Sequence, residues 1–61
     1  MDVRVSNHGN IFLIEPVSRA AKVWVEENVA VEQSLGNAFA CEPRYAHDIV
    51  IGMQTDGLVV V

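Results

Sequence analysis

Sixty-one residues, 51% of them apolar, with four basic and eight acidic side chains and a net charge of −4, describe one small domain and exclude a disordered chain. No run of 18 apolar residues is present, so a membrane is not an expected partner. Arg4, Arg19, Lys22 and Arg44 are too scattered to form a phosphate-binding stripe, so nucleic acid is not expected either.

Residues 1–61 are read as a single unit. A domain this short buries only about 60% of the surface its unfolded chain exposes, so it needs a staple, an unusually apolar core or a second copy. Cys41 is the only cysteine, which excludes an internal disulfide and makes the cytoplasm the expected compartment. The first ten residues lack the basic and long apolar regions of a secretory signal. Eleven valines, four isoleucines and three leucines supply the apolar core.

Along the chain, Val3 and Val5 alternate with polar neighbours and precede the turn-rich Asn7-His8-Gly9-Asn10. Met1 to Ile14 therefore either forms a β-hairpin or begins with a tail. Ile11-Phe12-Leu13-Ile14 is a continuous apolar run closed by Glu15-Pro16 and reads as a buried strand. Ser18 can cap a following helix from Arg19, whose core face carries Val17, Ala20, Ala21, Trp24 and Val25. Asn28 suits the left-handed residue that ends it, with Val29 as apolar follower.

Residues 30–36 read as a connection, and Asn37 to Cys41 as a central strand apolar on both faces. Pro43 fits a first helical position. The second helix is expected over Arg44 to Thr55, with Tyr45, Ala46, Ile49, Gly52 and Met53 on its core face. Asp56-Gly57 stops it, Leu58 packs back on Met53, and residues 58–61 form a short apolar strand.

The sum is a two-layer α/β domain, strand-helix-strand-helix-strand, with or without an N-terminal hairpin. Right-handed crossovers between adjacent strands would put both helices on one face of the sheet and leave the other bare. If the strands are apolar on both sides, that bare face is a hydrophobic patch and predicts a homodimer.

Chemistry is sparse. Cys41 ends a strand just before a helix N-terminus, where free amides and the dipole can lower a thiol pKa; its ordinary role is a small core side chain. His47 follows six residues later but projects with Ile51 and Gln54, away from Tyr45 and Ile49, and His8 lies in the turn. These histidines, one cysteine and scattered carboxylates lack zinc-site spacing, and no cofactor or metal is expected. Glu26 and Glu27 point about 100° apart on a helix and make a poor acid/base pair. Two positions stand out on polar helical faces: Val23 among Arg19, Glu26 and Glu27, and Ile51 among Arg44, His47 and Gln54.

The segments IFLIEPVSRAAKVWVEENV, LGNAFACEPRY and DIVIGMQTDGLVV resemble a group of short bacterial proteins with no assigned activity. Trp24, Gly36, Asn37, Glu42, Arg44, Tyr45, Asp56 and Gly57 are the matching positions, and the resemblance implies no catalytic residue. Tautomerases of similar length use an amino-terminal proline as base; this chain reads Met1-Asp2, so that chemistry is not expected.

The leading expectation is a non-enzymatic interaction or regulatory module acting by protein contact through Val23 and Ile51, its partner a second copy or an unidentified protein. The alternative is a small enzyme or anion-binding protein using the Cys41-Glu42-Pro43-Arg44 junction, with Cys41 as thiol and Arg44 as cation.

Overall fold

Gly9 makes the first chain reversal. Its φ of +85° lies in the region that favours glycine, its amide donates to Asn7 Oδ1 at 2.9 Å, and the His8 amide donates to the Ile11 carbonyl at 2.8 Å. In the computed structural model, which describes residues 1–29 and 38–61, this turn joins β1 (Val3–Asn7) to β2 (Phe12–Pro16). The N-terminal segment is thus a hairpin, and β2 starts one residue later than the apolar run because the Ile11 carbonyl closes the turn. Then come α1 (Arg19–Asn28), β3 (Phe39–Cys41) and α2 (Pro43–Thr55). The protein is a small α/β domain.

Its sheet runs in the order β1-β2-β3 with antiparallel pairing throughout. Adjacent parallel strands joined by helical crossovers are therefore not what forms between β2 and β3. The hairpin supplies β2 with one neighbour, and β3 takes the other side antiparallel, so among the described residues β3 lies at an edge of this sheet rather than at its centre. Residues 58–61 run parallel to β1 along its outer side. The Val3 and Val61 amides each reach across, at 3.0 Å, to the Val59 and Val3 carbonyls respectively, and Val5 donates to Val61 at 2.8 Å. Since β1 and β3 share a direction, the connection through α2 passes over β2 and β1.

Side-chain parity decides the layers. Val3, Val5, Phe12, Ile14, Pro16, Phe39 and Cys41 share one face through the pairings Val3↔Pro16, Val5↔Ile14, Ile14↔Phe39 and Phe12↔Cys41. Both helices pack on this face: Ala21 and Val25 from α1, and Ala46, Ile49 and Met53 from α2, join Val3, Ile14 and Phe39 in one buried cluster. The opposite face carries Arg4 paired with Glu15, and Ser6, Leu13 and Ala40 in a row. Arg4 Nη1 lies 3.6 Å from Glu15 Oε1. In the strands read from the sequence the outward positions are indeed apolar: half-buried Leu13, small Ala40, and Val59 and Val61, which the Val3↔Val60 pairing turns to this side, 55% and 61% exposed. Arg4, Ser6 and Glu15 make the rest of this face polar.

The helix ends follow local chemistry. Ser18 Oγ accepts the Ala21 amide at 3.1 Å and caps α1. Asn28 is not left-handed: its side-chain amide donates to the Trp24 carbonyl at 2.9 Å, and the backbone leaves the helix at Val29 in an extended conformation. At the end of α2, Gly57 takes φ +93°. Its amide donates to Gln54 and that of Leu58 to Met53, both at 3.0 Å, the paired bonds of a Schellman ending. Tyr45 departs from the expected core face and is 46% exposed. Val17 and Ala20 also face solvent.

Asp2 fastens three segments. Its backbone amide donates to Val59, its carbonyl accepts from Val17 at 2.7 Å and Ser18 at 3.2 Å, and its carboxylate accepts the Val59 amide at 2.8 Å. The Val59 amide, and after it the Ser18 hydroxyl, hold the Asp2 carboxyl below its ordinary range. A depressed folded-state pKa means that the contribution is complete above the unfolded value, near pH 4, and lost as pH falls through the folded value. The Val59 amide resonance is expected to titrate with a midpoint below that of a free aspartate peptide, and Asp2→Ala to abolish the transition. A midpoint equal to the peptide's would show that this bond is not formed.

Candidate contact surface

The two helices meet where Trp24 of α1 lies against Gly52 of α2. A Cβ on Gly52 would stand 3.2 Å from Trp24 Cζ2, so the missing side chain makes room for the indole. The ring spans this gap and its Nε1 donates to Asp56 Oδ2 at 2.6 Å, tying α1 to the end of α2. The residue before each partner in this contact is Val23 or Ile51. Placed opposite the buried residues of their helices, both point outward, 43% and 48% exposed. They thus occupy the outer surface of the helix layer, on either side of the line where the helices touch.

Charges along α1 are unusual for an isolated helix. Arg19 occupies the first turn and Glu26 and Glu27 the last, with no acidic residue in the first turn and no basic residue in the last. The helix dipole favours the reverse placement. Among the described residues the ion pair is Arg4 with Glu15, and Arg19 and Glu27 pair with none of them.

The Cys41-Arg44 junction joins the end of β3 to the start of α2. Cys41 shares the core side of the sheet with its partner Phe12 and is half-buried. Burial, and secondly the Glu42 carboxylate, push its thiol above the ordinary value and so reduce the thiolate available near neutral pH. Glu42 is the N-cap of α2, without a side-chain capping bond, and Pro43 contributes no amide hydrogen. An acidic side chain and a missing donor both weaken this helix start as an anion site. Arg44 is exposed. His8 and His47 are exposed too, His8 Nε2 lying 3.0 Å from Ser6 Oγ, and no metal-ligand group occurs among the described residues. Gly36 and Asn37, from the family-like pattern, and the connection read over 30–36 lie outside the described residues.

One feature escaped the residue pattern. An open groove of about 450 Å³ runs between one side of α2 and the sheet, with Val5, Phe12, Val50 and Val60 among its walls and His47 and Gln54 at α2. Its far wall is the C-terminal segment, which only the parallel pairing with β1 brings there. No helix of the described residues is long and apolar enough to cross a membrane. No family model, curated protein or solved structure matches this chain.

Proposed function

We propose that this chain is an interaction module that acts by protein contact, pairing with a second copy through the outer surface of its helix layer. The observation that carries the reading is the exposure of Val23 and Ile51 on the outward side of both helices, next to the Trp24–Gly52 contact. Neither side chain contributes to the buried cluster, so their apolar character is not required by the fold. Burial that favours the protonated Cys41 thiol supports the non-enzymatic reading. The resemblance to short bacterial proteins is compatible with this reading and adds no reacting group.

Replacing Val23 and Ile51 together by Lys is expected to weaken self-association by at least about tenfold with little change in folding stability, since exposed substitutions usually move stability by under about 0.5 kcal/mol. Molar mass measured over a dilution series, beside a urea denaturation curve, checks this. An unchanged mass profile would remove the contact surface.

A further inference from the structure

We infer that two copies pair through α1 in antiparallel orientation about a two-fold axis at Val23, with Arg19 of each copy against Glu27 of the other. This deepens the contact reading above and rests on it. Arg19, Val23 and Glu27 form one row at i, i+4 and i+8 on the exposed side of α1. Arg19 stands four residues before Val23 and Glu27 four after, about 6 Å along the axis on either side.

A two-fold interface must be complementary to itself, each residue meeting its symmetry counterpart. With the dyad at Val23 and the helices antiparallel, residue 23 meets residue 23 of the second copy, and a position four before meets one four after. Arg19 then faces Glu27 twice, and exposed Ala20 faces Glu26 without crowding it. Parallel pairing would set Arg19 on Arg19 and Glu27 on Glu27, two repulsive contacts. Alignment of the i±4 rows is also the commonest way helices pack, and arginine and glutamate are long enough to reach across it. The same arrangement accounts for charges that oppose the dipole of α1: they are unfavourable for the helix alone and complementary in the pair. Ile51 on α2 has no such balanced flanks, its neighbours one turn away being His47 and Thr55, which places the axis on α1.

Arg19→Glu and Glu27→Arg test this by sedimentation equilibrium of the full chain. Each alone is expected to weaken self-association by at least about tenfold, because symmetry duplicates every like-charge contact. Mixed in equal amounts they should form a dimer containing one of each, and the double variant Arg19→Glu/Glu27→Arg should recover self-association. Both substitutions suit the helix dipole better than the natural residues, so a lost dimer cannot be attributed to a lost helix; circular dichroism verifies that. A dimer that dissociates with Lys at Val23 and Ile51 but ignores the charge reversals overturns the antiparallel α1 pairing and leaves the contact reading standing. A wild-type chain that stays monomeric at every concentration overturns both.

Discussion

Ile14→Ala is expected to leave much of the protein unfolded at 25 °C. Ile14 is fully buried on the middle strand, with Val5 beside it on β1 and Phe39 on β3, and it sits under both helices in the core cluster. Removing three carbons there costs about 2–5 kcal/mol, since close-packed neighbours collapse only in part. A domain of this length has roughly 3–9 kcal/mol in all at typical per-residue stability. Leu13→Ala, one residue away on the opposite face, is expected to cost under about 1 kcal/mol, because Leu13 meets only Ser6 and Ala40 across the sheet. Urea denaturation of the two variants therefore tests the strand register directly. A slip of one residue would exchange the two results.

The second large effect is at Gly52. Valine there is expected to destabilise by about 1–3 kcal/mol, through overpacking against the indole. The Cβ alone would press on Trp24 Cζ2 at 3.2 Å, and the two added methyl groups have no room unless the ring moves, which breaks its bond to Asp56. Gly52→Ala should be close to neutral, since about 1 kcal/mol of helix propensity offsets a small displacement of the ring. Trp24 is the single tryptophan, so its emission reports the site without ambiguity. The valine variant should shift that emission toward the solvent-exposed wavelength before the main unfolding transition, and the alanine variant should not. If both variants show wild-type emission and stability, the helices do not meet at this point.

Local signals were legible wherever one residue type satisfies one local demand. Ser18 caps α1, Pro43 opens α2, and Gly57 with Leu58 closes it, because each answers hydrogen bonds left free at a helix end nearby in the chain. The outward placement of Val23 and Ile51 was likewise readable from helical spacing alone. Trp24 could be placed on a helix, but its partners Gly52 and Asp56 are 28 and 32 residues away and carry no mark of the pairing. The groove beside α2 was illegible for the same reason, as one of its walls comes from the opposite end of the chain.

Strand direction shows where local reading stops. The run from Ile11 to Ile14 is apolar at every position, and such a run looks the same whether a strand is covered on both faces or on one. Only pairing with β1, whose outward residues are Arg4 and Ser6, turns Leu13 and Glu15 toward solvent and leaves Phe12 and Ile14 inside.

Sequence alone therefore determined the two helices, the Ser18, Pro43 and Gly57 ends and the outward placement of Val23 and Ile51, all set by interactions within about one helical turn. Tertiary structure decided the antiparallel sheet, the edge position of β3 among the described residues, the docking of residues 58–61 by Asp2, and the meeting of Trp24 with Gly52. These depend on contacts between residues far apart in the chain, whose choice is made by the joint burial of the whole apolar set and cannot be read from any one segment.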